Sequence, residues 1–71
     1  MPQEWAEILD YMKKYPNFSF SSSRLSKVFS VSSQRISKIL LAMSDVDYVE
    51  RRSRGNNKKK VFYKWKRGPE I

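Results

Sequence analysis

The sequence contains no cysteine and no histidine. Without thiolates and imidazoles the chain can form neither disulfide bonds nor the sites that zinc prefers, and it lacks the residue that most often acts as a general base. Of its 7 carboxylates, Asp45 and Asp47 have no further ligands beside them and indicate a helix end and a turn. The sequence therefore predicts no cofactor, no metal and no enzymatic activity.

Long apolar runs are also absent. The longest, residues 39–43, has five residues, whereas a membrane-spanning helix needs roughly 20. The first residues, MPQEWAEILD, lack the basic start and apolar stretch of a signal peptide. We therefore expect one domain over residues 1–71 that does not insert in a membrane and is intracellular, in the cytoplasm, the nucleoid or the nucleus.

Acidic residues are scarce where positive charge is concentrated. Residues 51–67 hold nine Lys or Arg residues and no Asp or Glu, in a chain of net charge +8. Gly55-Asn56-Asn57 separates RRSR from KKKVFYKWK, and the second segment carries aromatic residues that favour strands. This pattern predicts a basic β-hairpin over about residues 48–66. Its charge attracts polyanions, either nucleic acid or an acidic membrane surface.

Apolar spacing predicts a first helix over about residues 2–14, ending before Pro16. The residues of its buried stripe are Trp5, Ile8, Leu9, Met12 and Tyr15. The polar residues of its outer face are Gln3, Glu4, Glu7, Asp10 and Lys14. Residues 17–20 then alternate polar and aromatic, so we expect Phe18 and Phe20 to point inward from a very short strand.

Two further helices follow in the middle of the chain. Serines 21–23 can cap the second helix, whose inward positions are expected at Leu25, Val28 and Phe29. Ser32 can cap the third helix, after a tight turn from which Val31 points inward. The buried face of the third helix is predicted at Ile36, Ile39, Leu40 and Met43, and its end at residues 45–47. We expect Leu41 to pack under the hairpin.

Residues 24–43, RLSKVFSVSSQRISKILLAM, resemble the helix-turn-helix of DNA-binding regulators. Leu25 and Val28 match packing positions of the first helix of that motif, and Ser30-Val31-Ser32 is similar to its Gly-Val-Ser turn. Because Ser30 replaces the glycine, we expect it to adopt a left-handed or otherwise adjusted backbone. With a helix before the motif and a basic hairpin after it, nearly the whole chain resembles the winged helix-turn-helix family.

The fold implied by this resemblance is α+β, with three helices and a C-terminal two-stranded β-hairpin wing, with or without a short strand between helices one and two. The helix-turn-helix would occupy about residues 22–44 and the wing about residues 48–66. The resemblance does not extend to winged helices that bind Z-DNA. Those would carry asparagine at Ser37, an aromatic at Leu41 and prolines in the wing, and this chain has none of these.

The resemblance implies a sequence-specific transcriptional regulator whose third helix enters the major groove of double-stranded DNA. The residues expected to contact bases are Ser33, Gln34, Arg35, Ser37 and Lys38. The residues expected to contact the DNA backbone or minor groove are Ser22, Ser23, Arg24, Arg51, Arg52, Arg54, Asn56, Asn57, Lys58, Lys59 and Lys60. Among the base contacts, Arg35 suits guanine and Gln34 suits adenine, while Ser37, or Leu41 if it does not pack under the hairpin, suits a thymine methyl. The protein would act as a monomer or as a homodimer, formed in solution or only on DNA, without a small-molecule ligand.

Several alternatives are compatible with the same residues. Certain small ribosomal proteins are also similar to basic winged helices, so structured RNA is an alternative ligand. Other winged helices bind proteins through helix one or the wing. The exposed residues of the third helix can simply face solvent, and Ser22 and Ser23 can serve as helix caps. Tyr63 and Trp65 can stack on bases, but we expect them to anchor the wing to the core.

Overall fold

The computed structural model describes residues 3–53 and 61–68, which form a small α+β fold. Its elements in chain order are α1 (Gln3–Lys14), β1 (Ser19–Phe20), α2 (Ser22–Phe29), α3 (Ser33–Asp45), β2 (Val49–Ser53) and β3 (Val61–Trp65). The three predicted helices and the C-terminal antiparallel pair are confirmed. No helix in this part of the chain is long and apolar enough to cross a membrane.

The strands form one antiparallel sheet in the order β1-β3-β2. The sheet therefore has three strands and not the two predicted for the hairpin, because the short strand expected between helices one and two forms at Ser19–Phe20 and pairs with β3. The side chains of the paired residues Phe20 and Tyr63 are only 2% and 4% exposed, so the pairing buries both rings. A segment of two residues is too short for its own pattern to indicate which strand it will join.

Helix α1 combines an apolar stripe with charges that match the helix dipole. Glu4 lies in its first turn, and Lys13 and Lys14 lie in its last turn. The expected burial of Tyr15 is wrong, since this side chain follows the helix and is 51% exposed. The physical reason is Pro16, which disfavours helical backbone at the residue before it.

The core lies between the helices and one face of the sheet. Its buried members are Ile8, Leu9, Met12, Phe20, Leu25, Ile36, Ile39, Leu40, Met43, Val49 and Tyr63. Partly buried residues that pack against them are Trp5, Tyr11, Phe29, Val31, Tyr48, Val61 and Trp65. All four residues predicted for the inner face of α3 are buried, so this prediction is confirmed. Their helical spacing places them on one side of the helix.

Three apolar side chains expected to be buried are largely exposed. Phe18 precedes the two-residue strand and is 43% exposed, with its ring 4.7 Å from that of Phe20. Val28 is 44% exposed because the short α2 packs through Leu25 and Phe29, which are one turn apart. Leu41 is 43% exposed, so the expectation that it packs under the hairpin is wrong.

Candidate nucleic-acid interface

The turn between α2 and α3 sets the position of the third helix. Ser30 has φ 54° and ψ 41°, the left-handed conformation expected from its place in the motif, and its N–H donates to the Ser26 carbonyl. The Val31 N–H donates to the same carbonyl, at 3.2 Å, while the Ser26 hydroxyl donates to the Val31 carbonyl. Val31 packs against the core as expected. Hydrogen bonds between α2 and the turn therefore fix the connection between α2 and α3.

Helix α3 begins with the predicted serine cap. The Ser32 hydroxyl accepts a hydrogen bond from the backbone N–H of Arg35 at 3.3 Å. This bond satisfies one of the N–H groups that the first turn of a helix leaves unpaired. It also places residues 33–35 in a regular first turn, where their side chains are exposed.

The outer face of α3 is polar and cationic in its first half. Gln34, Lys38, Leu41 and Asp45 follow one another at intervals of three and four, opposite the buried stripe, and all four are exposed. Ser33 is exposed as well, whereas Ser37 is half-buried. Because Asp45 ends this row, the positive charge is confined to the N-terminal half of the helix, where the base contacts were predicted.

Arg35 has a partner that the sequence did not indicate. Its Nη2 lies 2.6 Å from Oε1 of Glu4 in α1, and the two side chains are 64% and 36% exposed. Glu4 was assigned to the solvent-facing side of the first helix. A signal for its true position was available, since Glu4 precedes Ile8 and Met12 by four and eight residues and so borders the buried stripe.

The start of α2 holds the predicted phosphate contacts. Ser21 is the N-cap, and its hydroxyl accepts from the backbone N–H of Arg24 at 3.2 Å. Ser22, half-buried, and Ser23, exposed, therefore lie inside the first turn. The guanidinium of Arg24 lies over the ring of Phe18, 4.8 Å from its centroid. The structure thus brings an exposed cation to this helix end, beside an exposed ring.

The hairpin strands present cations next to α3. The N–H of Tyr48 donates to the carbonyl of Met43 at 2.9 Å, and β2 then packs beside the helix. Arg51 and Arg52 of β2 are exposed, and Arg52 donates to the Glu50 carboxylate from Nε and Nη2 at 3.0 and 2.8 Å. The predicted contacts that lie outside the described residues are Arg54, Asn56, Asn57, Lys58, Lys59 and Lys60, together with the turn residue Gly55.

The aromatic residues of β3 anchor the hairpin. Tyr63 is 4% exposed, and Trp65 and Val61, on the same face of the strand, pack partly against the core. The indole Nε1 of Trp65 is buried without a hydrogen-bond partner among the described residues. The expectation that these rings hold the strand to the domain is confirmed for Tyr63, which cannot stack on a base from its buried position.

An acidic residue ties both ends of the hairpin together. Asp47 accepts from Lys66 at 2.8 Å, and Arg67 lies 3.3 Å from its other oxygen. The hydrogen bond from Lys66, with the positive charges of Lys66 and Arg67, lowers the pKa of Asp47 against the opposing effect of desolvation. Asp47 also has a left-handed backbone, with φ 67°. The strand ends are therefore fixed electrostatically as well as by backbone hydrogen bonds.

Comparisons with known proteins do not identify a relative. No protein-family model, curated protein or solved structure matches this chain. Within residues 3–53 and 61–68 there is no group of three or more His, Cys, Asp or Glu side chains that could hold a metal ion. The predicted contact residues carry amide, hydroxyl and guanidinium donors, which suit phosphates and base edges.

Proposed function

We propose that this chain is a winged helix-turn-helix protein that binds double-stranded DNA and acts as a sequence-specific transcriptional regulator. The observation that carries the proposal is the exposed first half of α3. There, Gln34 and Lys38 lie on the outward face of a helix that is capped by Ser32 and joined to α2 through the left-handed Ser30. The β2–β3 hairpin beside this helix would be the wing.

The geometry of α3 supports entry into the major groove. A helix is about 10 to 12 Å wide with its side chains, and the major groove is about 12 Å wide. The N-terminal residues of a recognition helix are the ones that reach base edges, and the cationic half of α3 is its N-terminal half. Arg35 can bind guanine O6 and N7, while Gln34 can bind adenine N6 and N7.

The remaining cations support a second contact with the DNA backbone. Arg24 at the start of α2 and Arg51 and Arg52 in β2 are exposed and able to meet phosphates. The pair between Arg52 and Glu50 does not oppose this role strongly, because an exposed ion pair stabilises by only about 0 to 1 kcal/mol. These residues would supply affinity, and α3 would supply sequence preference.

Selection from random duplex DNA tests the proposal directly. The parent protein is expected to enrich one sequence, with an affinity that falls roughly a thousandfold between about 50 and 200 mM salt if about six phosphates are neutralised. Arg35→Lys keeps the positive charge but loses the guanidinium fork, so it should relax the preference at one base position. Lys58, Lys59 and Lys60 changed together to Ala should weaken all sequences and flatten the salt dependence.

Three results of these binding experiments would contradict the proposal or part of it. A salt slope near zero, or displacement of the best duplex by structured RNA at equal nucleotide concentration, would show that duplex DNA is not the ligand. If Arg35→Lys and the triple lysine variant have equal effects on sequence preference and salt dependence, the assignment of base recognition to α3 and of phosphate contacts to the hairpin would be contradicted. If the selected sequence holds two half-sites about 10 base pairs apart, the protein binds as a dimer, and a single half-site indicates a monomer.

A further inference from the structure

An ion pair joins α1 and α3 at the surface that the proposed function assigns to DNA. Nη2 of Arg35 donates to Oε1 of Glu4 across 2.6 Å, although 31 positions separate the two residues in the chain. Hydrogen bonds between ionised groups are shorter and stronger than neutral ones. The direction of the Arg35 side chain is therefore set by the first helix as well as by its own.

The carboxylate of Glu4 is partly enclosed. Its Oε2 is buried and has no hydrogen-bond partner among the described residues, while Oε1 meets Arg35. Ile8, one turn further along the same side of α1, is buried in the core. The Glu4 side chain is 36% exposed and that of Arg35 is 64% exposed, so Glu4 is the more enclosed partner of the pair.

The contact leaves enough of the guanidinium free to read a base. An arginine side chain has five N–H donors, and Glu4 accepts one of them, from Nη2. The second Nη2 proton and a proton on a neighbouring nitrogen can still form the two parallel hydrogen bonds that recognise O6 and N7 of guanine. Glu4 and guanine can therefore bind the same guanidinium at the same time.

We infer that Glu4 is the positioning residue for Arg35, holding its guanidinium ready to read guanine while making no contact with the base itself. This inference rests on the proposed function. A free arginine loses rotamer entropy when it binds, and an ion pair formed beforehand removes part of that loss. Glu4 thereby contributes to sequence preference even though its negative charge opposes the approach of DNA.

The decisive variant is Glu4→Gln, because the inference predicts two effects of opposite sign. Removing a negative charge should tighten binding to random duplex DNA and steepen its salt dependence slightly. Losing the positioned guanidinium should lower the preference for guanine at the Arg35 position by about threefold or more, out of the roughly 5- to 150-fold preference of a bidentate contact. A residue that only supports the fold would move both affinities in the same direction.

Glu7→Gln is the matched control. Glu7 lies on the same helix and is exposed, and it accepts from the Gln3 amide at 3.2 Å. This variant removes the same charge without touching Arg35, so it should tighten random binding while leaving the guanine preference unchanged. In an Arg35→Lys background, Glu4→Gln should cause no further loss of preference, because the group that it positions has already been removed.

A measurement without DNA tests the same inference. In the free parent protein the guanidinium group of Arg35, held by Glu4 through Nη2, should show restricted motion on the nanosecond timescale in NMR relaxation, and Glu4→Gln should make that side chain mobile. Glu7→Gln should leave the motion of the Arg35 side chain unchanged. Thermal melts of each variant establish that the comparison is made between folded proteins.

The outcomes separate this inference from the proposed function. If the parent shows no base preference in duplex DNA, the proposed function itself fails. If the parent is selective and Glu4→Gln leaves that selectivity intact, or raises affinity and selectivity together, the function stands and the inference is overturned. If Glu4→Gln raises affinity and selectivity together, Glu4 restrains Arg35 instead of positioning it. An Arg35 side chain that is equally mobile in the parent and in Glu4→Gln would overturn the inference as well.

Discussion

The guanidinium of Arg24 lies over the ring of Phe18, with 4.8 Å between the guanidinium carbon and the ring centroid. A cation in this position is attracted by the negative face of the ring, and at an exposed site the interaction is worth about 0.5 to 1 kcal/mol. Phe18 is 43% exposed and Arg24 is exposed too, so the pair stays in contact with solvent. The ring therefore holds the cation beside the start of α2 without burying it.

The first prediction concerns Arg24 as a phosphate contact. Arg24→Ala should weaken binding to selected and random duplexes equally, and it should reduce the magnitude of the salt slope by about 0.9, as for one phosphate. Fluorescence anisotropy titrations at several salt concentrations measure both quantities. Lys13→Ala, at the end of α1, provides the charge-matched control and should leave the slope nearly unchanged. If the two variants reduce it equally, Arg24 contributes only to net charge.

The second prediction concerns the left-handed turn at Ser30. Glycine adopts this backbone without the steric clash that a side chain introduces, so Ser30→Gly should stabilise the fold by about 0.5 to 1 kcal/mol. Ser30→Val should destabilise it by about 1 kcal/mol or more, because a β-branched residue fits this conformation poorly. Urea denaturation measures both changes. A destabilising glycine would show that the turn requires the serine side chain.

The third prediction is a pH dependence centred on Asp47. Its pKa is lowered by Lys66 and Arg67, so its contribution to stability is present above the ordinary carboxyl pKa and is lost as the pH falls through the lowered value. Asp47→Asn removes the charge, while asparagine tolerates the left-handed backbone. Between about pH 5 and pH 2 the parent should therefore lose more stability than the variant. Denaturation midpoints across this range provide the measurement, and parallel curves would contradict the role of Asp47.

The fourth prediction compares two adjacent leucines of α3. Leu40 is fully buried and Leu41 is 43% exposed. Leu40→Ala should destabilise the fold by about 2 to 5 kcal/mol, a large part of the roughly 4 to 10 kcal/mol available to a domain of this size. Leu41→Ala should change stability by no more than about 0.5 kcal/mol. Thermal unfolding followed by circular dichroism distinguishes the two, and similar melting temperatures would contradict the assigned burial.

Elements with a repeating local pattern were predictable. The stripe of Ile36, Ile39, Leu40 and Met43 predicted both the third helix and its buried face, because spacings of three and four bring side chains together on any helix. Ser32 could be assigned as a cap, since the hydroxyl and the N–H that it accepts from are only three residues apart. The resemblance to the helix-turn-helix implied a left-handed or otherwise adjusted backbone at Ser30, and the structure shows the left-handed form.

Positions that depend on neighbours far away in the chain were harder to predict. Val28 and Phe18 have apolar side chains but are exposed, because α2 packs through Leu25 and Phe29 and β1 begins after Phe18. The pairing of Phe20 with Tyr63 joins residues from opposite ends of the chain. No periodic signal within either segment specifies such a partner, since strand pairing is decided by which rings fit together in the core.

The sequence alone determined the helices, the serine caps and the concentration of positive charge in residues 51–67. These features arise from interactions between residues a few positions apart, or from composition itself. Only the tertiary structure decided that β1 completes the sheet and that Glu4 meets Arg35. Both join residues far apart in the chain, and such contacts form only where the packed core brings the two segments together.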